Sequence, residues 1–161
     1  MSRCVYPGSF DPLTAGHMDL IRRASGIFDE VFVVVMVNIH KTGCIPVDRR
    51  LDILRKACSD LDNVSVDSWQ GLLTDYMRLR NMNTVLRGVR DTDDFNSEMR
   101  SAGINRLIGN SIETVFMPTS SEFSFVSSSA VREIFSFGGD VREFLPKNAA
   151  DDIIDCLTKK D

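Results

Sequence analysis

One stretch near the start of the chain decides the fold: Cys4-Val5-Tyr6-Pro7-Gly8-Ser9-Phe10-Asp11-Pro12-Leu13-Thr14-Ala15-Gly16-His17. Its short apolar run predicts a strand, its Gly, Pro, Ser and Thr residues predict a loop, and a helical pattern begins near His17. Where a loop delivers the chain to a helix N-terminus, unpaired backbone N–H groups and the helix dipole point the same way. The stretch therefore predicts an anion-binding site, and we interpret that anion as phosphate.

The chain beyond this stretch alternates between strand-like and helix-like segments. The continuous apolar run at residues 31–37 is typical of a strand covered on both faces, as in a parallel sheet. Further strands are predicted near residues 64–66, 84–86 and 113–117, and apolar residues at helical spacing separate them. The alternation predicts an α/β, Rossmann-like fold: a doubly wound, five-stranded parallel sheet with C-terminal helices.

Two helical segments carry more detailed expectations. In the helix before the last strand, Phe95, Met99 and Ala102 are predicted to form the apolar face. In the last helix, Asn148 is predicted to be the N-terminal cap, and Lys159 and Lys160 are predicted to lie in the final turn.

Composition is that of an ordinary globular protein. The 161 residues are 43% hydrophobic and 26% charged, with a net charge of −4, so nothing in this balance indicates nucleic acid as a partner. No apolar run approaches the roughly 20 residues of a membrane helix, and no signal peptide opens the chain. We expect one domain, residues 1–161, in the cytoplasm. The cysteines Cys4, Cys44, Cys58 and Cys156 lack zinc-site spacing and are predicted to be reduced thiols.

Candidate site residues follow each predicted strand where it ends. In chain order they are Ser9 and Phe10, Lys41, Leu72 and Leu73, residues 87–90, and residues 123–129. Ligands of open α/β sheets bind beyond the carboxyl ends of the strands. We therefore expect five loops to meet at one edge of the sheet and to form one site.

Several of these residues also have simpler structural interpretations. His17 is in register with the apolar positions of the first helix, which is typical of a core histidine, although the preceding glycine and turn favour a phosphate contact. Lys41 fits a solvated surface residue, and serines before a helix fit N-terminal caps. Asp94 and Glu98, at helical spacing, fit solvated carboxylates. Spacing alone leaves these alternatives open.

Four groups of residues resemble the motifs of a known superfamily. Gly8-Ser9-Phe10-Asp11-Pro12 with Thr14-Ala15-Gly16-His17 resembles the signature of nucleotidylyltransferases with an (H/T)xGH motif, above all the bacterial phosphopantetheine adenylyltransferases. The likeness extends over nearly the whole chain through Arg87-Gly88-Val89-Arg90, Asp94-Phe95 with Glu98-Met99, and residues 123–129. The resemblance implies transfer of an adenylyl group from ATP to 4′-phosphopantetheine, giving dephospho-coenzyme A and pyrophosphate, the penultimate step of coenzyme A synthesis. It also implies direct in-line displacement, Mg²⁺ accompanying ATP, a homohexamer, and inhibition by coenzyme A.

The resemblance implies a role for each matching residue. The catalytic residues would be His17, which stabilises the transition state, Lys41 and Arg90. ATP would bind to Ser9, Phe10, His17, Gly88, Val89, Arg90, Glu98, Phe123, Ser124, Phe125, Val126, Ser127, Ser128 and Ser129. The acceptor would bind to Ser9, Lys41, Leu73 and Arg87, and no protein side chain would ligate a metal. Two parts of the chain depart from the family pattern. One is the loop around Lys41, and the other is Phe123, where Trp or Tyr is usual.

Other functions remain open at this point. The same chemistry could use another phosphate acceptor, such as nicotinamide mononucleotide or glycerol 3-phosphate. A non-catalytic nucleotide-binding domain could keep the fold without releasing pyrophosphate. A dehydrogenase is disfavoured because no G-x-G-x-x-G follows the first strand, and no G-x-x-x-x-G-K-[ST] occurs either.

Overall fold

A five-stranded sheet forms the centre of the computed structural model, which describes residues 1–109 and 111–159. The strands are β1 (Arg3–Gly8), β2 (Glu30–Val37), β3 (Val64–Gln70), β4 (Thr84–Val89) and β5 (Glu113–Pro118). They are all parallel, in the order β3-β2-β1-β4-β5. The predicted α/β, Rossmann-like, parallel sheet is confirmed.

Six helices connect and follow these strands. They are α1 (Ala15–Ser25), α2 (Val47–Ala57), α3 (Leu73–Leu79), α4 (Thr92–Gly109), α5 (Ser128–Ser136) and α6 (Ala150–Thr158), and short 3₁₀ turns occupy Ser121–Phe123 and Arg142–Phe144. α1 begins two residues before His17, so the histidine lies in its first turn. No helix among residues 1–109 and 111–159 is long and apolar enough to cross a membrane.

The apolar run of β2 is buried on both faces of the sheet. Val33 and Val35 pack into the larger core, together with residues of α1, α2 and α6. Val34 points to the opposite face and packs with Tyr76 and Met77 of α3. Since neighbouring strand residues face opposite sides, a strand covered by helices on both faces needs an unbroken apolar run.

The predicted cap of the last helix is wrong. α6 begins at Ala150 after Ala149, while the Asn148 amide donates to the backbone carbonyls of Lys56 (3.2 Å) and Ala57 (3.3 Å). These carbonyls lie at the end of α2, where they have no partner within their own helix. Asn148 therefore ties the segment that precedes α6 to the end of α2. Of the two lysines predicted in the final turn, Lys159 directly follows α6, and Lys160 lies outside the described residues.

The predicted apolar face of α4 exists but is not buried. The helix contains no buried residue. Phe95 and Met99, on the predicted face, are 37% and 48% exposed, whereas Ile104 and Leu107 lie on other sides of the helix and are 58% and 86% exposed. Phe95 makes an edge contact with Phe116 of β5, with ring centroids 5.1 Å apart. One chain alone thus leaves apolar side chains on several sides of α4 exposed to water.

Candidate active site

The loop after β1 is held in place by buried charged groups. The Asp11 carboxylate accepts hydrogen bonds from the backbone N–H groups of Cys44 (2.6 Å) and Ile45 (2.8 Å). The Arg50 guanidinium, which is also buried, donates to the carbonyls of Ser9 (2.9 Å) and Ile45 (2.8 Å). The loop after β1 and the loop after β2 are therefore fastened to each other.

Two glycines let this edge of the sheet pack closely. A Cβ at Gly8 would lie 2.9 Å from the ring of Phe10, a buried residue whose φ of 47° is in the left-handed region. A Cβ at Gly88 would lie 2.2 Å from a methyl group of Leu20 in α1. Gly8 thus leaves room for the Phe10 ring, and Gly88 lets the end of β4 pack directly against Leu20 of α1.

Thr14 determines the orientation of His17. As the N-cap of α1, its hydroxyl accepts a hydrogen bond from the His17 N–H (3.3 Å), and its own backbone N–H donates to His17 Nδ1 (3.1 Å). The Thr14 Oγ1 also lies 3.0 Å from the same ring nitrogen. A backbone N–H can only donate, so Nδ1 must be the unprotonated nitrogen of a neutral ring. The proton is therefore on Nε2.

The surroundings of His17 favour its neutral form. Burial lowers the pKa of His17, and the positive charges of Arg90 and Arg87 lower it further, to about 4. The imidazole packs edge-on against Phe10, with the ring centroids 5.1 Å apart. At neutral pH the side chain is an uncharged hydrogen-bond donor.

His17 opens into a cavity of about 300 Å³ at the carboxyl ends of β1 and β4. Eleven of the seventeen predicted site residues line it: Ser9, Phe10, His17, Arg87, Gly88, Arg90, Glu98, Val126, Ser127, Ser128 and Ser129. The first turns of α1 and α5 both reach this cavity. Two helix N-termini thus face the same space, which is a favourable arrangement for an anion.

The other six predicted residues lie elsewhere. Lys41 lines a neighbouring cavity, which shares Ser9 with the first. The cavity of His17 is not lined by Leu73, Val89, Phe123, Ser124 or Phe125. The structure thus brings the loops after β1, β4 and β5 to one cavity, whereas the loops after β2 and β3 do not reach it. The binding roles of these six residues stay predictions.

The arginines of the cavity are paired with carboxylates. Arg87 makes two hydrogen bonds to Glu98, the shorter from Nη2 (2.5 Å), and a third to the Pro7 carbonyl (2.7 Å). Arg90 contacts Asp94 at 3.4 Å. These contacts hold Arg87 in a fixed orientation, because a bidentate pair defines the plane of the guanidinium group. Asp94 and Glu98 are therefore not free solvated carboxylates.

The serines at the start of α5 combine structural hydrogen bonds with a place in the cavity wall. Ser127 is the N-cap of α5, since its hydroxyl accepts a hydrogen bond from the Ala130 N–H (3.1 Å). The Ser128 hydroxyl donates to the Pro12 carbonyl (2.8 Å), which ties α5 to the loop after β1. Both serines also line the cavity, so capping does not remove them from it.

Sequence reasoning assigned no role to several residues of this cavity. Thr14 stands three positions before His17, the spacing of a reciprocal N-terminal cap, but Glu or Gln is usual in the place of His17, so the sequence signal is weak. Tyr6, Leu20 and Thr119 also line the cavity. Tyr6 and Leu20 carry only the pattern of core residues, so no local signal distinguishes them.

We expect the His17 ring to be neutral at neutral pH, with its proton on Nε2. Long-range ¹H–¹⁵N spectra of labelled protein report the tautomer directly, and the signal should titrate with a midpoint near pH 4. The chain has two histidines, so the variant His40→Gln assigns the signal. A proton on Nδ1, or an ordinary histidine midpoint, would contradict the Thr14 contact.

The lowered pKa of His17 should also make stability depend on pH. Between its ordinary value of 6.5 and about 4, the unfolded chain binds a proton at this residue that the folded chain does not. The free energy of unfolding should therefore fall as the pH is lowered through this range, by up to about 3 kcal/mol. Urea unfolding of the parent and His17→Gln at several pH values isolates this contribution. Parallel pH curves for the two proteins would refute it.

Comparison with known families first defines the class of protein. A family model described as cytidylyltransferase-like matches residues 5–134. A solved structure of Plasmodium falciparum nicotinic acid mononucleotide adenylyltransferase, 17% identical, covers 96% of this chain and 96% of its own, with a TM-score of 0.70. At this identity the solved structure shows a shared fold. Together with the matching family model, it places the chain among the nucleotidyltransferases.

Closer relatives narrow the class to one family. The phosphopantetheine adenylyltransferase of Clostridium novyi (strain NT) is 42% identical over 99% of this chain and 99% of its own length. The protein of the same name from Nostoc punctiforme is 46% identical over 94% of this chain and 83% of its own. This chain belongs to the phosphopantetheine adenylyltransferase family.

Proposed function

We propose that this protein transfers the adenylyl group of ATP to 4′-phosphopantetheine, forming dephospho-coenzyme A and pyrophosphate in the penultimate step of coenzyme A synthesis. The observation that carries the proposal is the single cavity lined by Ser9, His17, Arg90 and the N-terminus of α5, in a chain of this family. The acceptor is a phosphate anion at neutral pH and is already a nucleophile, so the reaction needs no general base. The proposed chemistry is direct in-line displacement at the α-phosphorus.

His17 stabilises the transition state in this mechanism. Negative charge develops on the equatorial oxygens of the α-phosphorus as the acceptor attacks. The Nε2–H of His17 donates to one of these oxygens, because Nδ1 is already occupied by Thr14. Arg90, which lines the same cavity, supplies positive charge. Such preorganised donors act at no further cost in reorganisation when the charge appears.

Positioning of the two substrates supplies the other part of the rate enhancement. The first turn of α5, with Ser128 and Ser129, binds the departing pyrophosphate portion of ATP, which suits a helix N-terminus. The Ser9 hydroxyl and the guanidinium group of Arg87 hold the acceptor phosphate, and Leu73 contacts the pantetheine arm. Well-aligned reactants lower barriers by about 7–11 kcal/mol in comparable reactions.

Lys41 reaches the acceptor phosphate from the neighbouring cavity in this proposal. Its loop is fastened to the loop after β1 by Asp11, and the two cavities meet at Ser9. The ammonium group of an exposed lysine moves freely on its four-carbon stem, so the side chain can close over Ser9 once both substrates are bound.

Mg²⁺ enters the site with ATP. Within residues 1–109 and 111–159, no group of three or more His, Cys, Asp or Glu side chains is arranged to hold a metal ion. The carboxylates in the cavity, Asp94 and Glu98, are paired with arginines. This donor set fits an ion carried by phosphate oxygens and water, where it neutralises phosphate charge.

We also propose a homohexamer in the cytoplasm, with residues 1–161 as one domain and inhibition by coenzyme A. The exposed apolar side chains of α4 support assembly, because a helix with so many of them is normally covered by protein. Inhibition is tested by initial rates with added coenzyme A.

Replacing Leu107 by glutamate should dissociate the assembly. The side chain is 86% exposed in one chain, so the fold should survive, while an assembly that covers this side of α4 would have to bury the new charge. Light scattering after gel filtration measures the mass. Phe137→Glu, at a residue 85% exposed on another surface, is the matched control. A Leu107→Glu protein with the mass of the parent would remove α4 from the interface.

A pyrophosphate-release assay with ATP, Mg²⁺ and a set of acceptors tests the proposed function. We expect release with 4′-phosphopantetheine and little with nicotinamide mononucleotide or glycerol 3-phosphate. Release with one of the other acceptors would replace the substrate but keep the chemistry. Binding of ATP without release with any acceptor would instead indicate a non-catalytic nucleotide-binding domain.

A further inference from the structure

A second and larger cavity lies beside the reaction cavity. Its volume is about 1210 Å³, and its walls come from the loop between β2 and α2, the start of α2, and parts of α5 and α6. Ser9 belongs to both cavities, and the larger one extends away from it towards Arg49 and Lys159. The adenylyl-transfer mechanism uses Lys41 from this cavity and assigns no ligand to its other cations.

The unpaired positive charge of the described chain is concentrated in this cavity. Eighteen of the nineteen Lys and Arg residues are described, and eleven of these form an ion pair. Seven form no ion pair with a carboxylate of residues 1–109 and 111–159. Five of the seven line this cavity: Lys41, Arg49, Arg50, Arg132 and Lys159. Every lysine or arginine of the cavity wall therefore belongs to the unpaired set.

The carboxylates near these cations are already engaged: Asp52 and Asp152, which act on Arg49 from outside the cavity wall, are paired with Arg55 and Lys56. Asp11 is the one carboxylate that lines the cavity among the described residues, and it is already bound by the N–H groups of Cys44 and Ile45. The reaction cavity differs, because its Arg87 and Arg90 are paired with carboxylates. Clustered like charges repel one another, which is unusual in a protein whose net charge is −4. An anionic ligand would relieve this repulsion.

Two of the arginines are preoriented by neutral partners. Arg132 donates to the Asp11 carbonyl and to the Ser129 hydroxyl, and Arg50 donates to two other carbonyls. Carbonyl and hydroxyl oxygens fix a guanidinium group without neutralising it. A Cβ at Gly43 would lie 2.6 Å from Nη2 of Arg50, so any side chain at this position would crowd the guanidinium group.

We propose that this cavity is a second anion site, which binds a phosphate-bearing small molecule through Arg49, Arg50, Arg132 and Lys159. Guanidinium groups match the geometry of phosphate oxygens, and a concave wall selects a small ligand rather than a polymer. The phosphate is either free, as inorganic phosphate or pyrophosphate, or an ester group on a larger molecule that fills the remaining volume. This site is distinct from the part of the reaction cavity in which phosphate groups react beside His17.

Binding measurements without turnover test this proposal. Isothermal titration calorimetry with sodium pyrophosphate, in the absence of Mg²⁺ and ATP, measures the binding affinity. The parent should show two binding phases, and the double variant Arg49→Ala with Lys159→Ala should lose at least tenfold in affinity in one of them. His17→Ala should weaken the binding phase that belongs to the reaction cavity and leave the phase of the second cavity unchanged. The proposal thus survives even if the protein does not catalyse adenylyl transfer.

A matched control comes from the same set of unpaired cations. Arg100 and Lys147 are the two described members that do not line the cavity, and their double alanine variant should bind as the parent does. Arg49 and Lys159 are exposed, so the test variant should keep its melting temperature. Should it unfold, Arg49→Gln with Lys159→Gln removes the same charges with less loss of side-chain packing.

A second titration distinguishes the two sources of phosphate. Adenosine 3′,5′-bisphosphate is compared with adenosine 5′-monophosphate, which lacks the second phosphate ester. If Arg49 and Lys159 matter only for the bisphosphate, the site takes a phosphate ester, and if they matter only for pyrophosphate, it takes the free anion. If neither titration responds to the double variant, or if the Arg100 and Lys147 control weakens binding equally, the proposal is overturned.

Discussion

Replacing His17 by alanine is expected to lower turnover by two to three orders of magnitude while the fold is kept. The variant lacks the Nε2–H donor to the α-phosphate, and loss of one such donor typically raises a barrier by about 3–4 kcal/mol. The N-cap bond from the His17 N–H to the Thr14 hydroxyl uses the backbone and survives the substitution. Only the reciprocal bond to the ring is lost, so α1 should still form.

Steady-state pyrophosphate release measures this effect, and circular dichroism confirms the fold. The loss should fall on kcat more than on KM, because the hydrogen bond strengthens as charge develops in the transition state. His40→Ala, at the exposed second histidine, is the control and should keep the parent's rate. If His17→Ala turned over near the parent's rate, His17 would have no part in the mechanism.

Replacing Asp11 by asparagine should cost about 2–3 kcal/mol of stability. Each carboxylate oxygen accepts one backbone N–H, from Cys44 at 2.6 Å and from Ile45 at 2.8 Å. Asparagine has a single acceptor oxygen, so its NH₂ group would face one of these donors. A buried backbone N–H would then lose its partner, and the charge assistance of the other hydrogen bond would also disappear.

Urea unfolding measures this loss, and Asp62→Asn is the matched control. Asp62 is exposed, so removing its charge should leave stability nearly unchanged. Because Asp11 fastens the loop of Lys41 to the reaction cavity, the variant should also raise KM for the acceptor more than KM for ATP. An Asp11→Asn protein as stable as the parent would show that these loops are held by other contacts.

Most of the fold could be read from local patterns. Continuous apolar runs alternate with apolar residues at helical spacing, and this alternation predicts the order of strands and helices. Burial on one face of an element repeats apolar residues at the period of that element, and burial on both faces gives a continuous apolar run. The Gly8-to-His17 stretch likewise predicts a loop that meets a helix N-terminus. The pattern of α4 is the informative exception, since its apolar face is present in the sequence but not buried in one chain.

The site was only partly predictable. Eleven of seventeen predicted residues share one cavity, because the carboxyl ends of parallel strands necessarily lie at one edge of the sheet. The pairing of Arg87 with Glu98 could not be predicted, since spacing alone does not distinguish a solvated carboxylate from a paired one. Nor could the position of Lys41, whose loop departs from the family pattern.

The sequence by itself determined the order of elements, the parallel sheet, and the resemblance that led to the family. Only the tertiary structure decided which atoms of the site meet. Arg50 reaches the Ser9 carbonyl across 41 residues of chain, and Arg87 reaches the Pro7 carbonyl across 80. The spacing of apolar residues is a local property that records burial. A hydrogen bond between segments far apart in the chain instead requires a donor–acceptor distance that is correct to within a few tenths of an ångström. The second cationic cavity follows from such packing and has no local sequence signature.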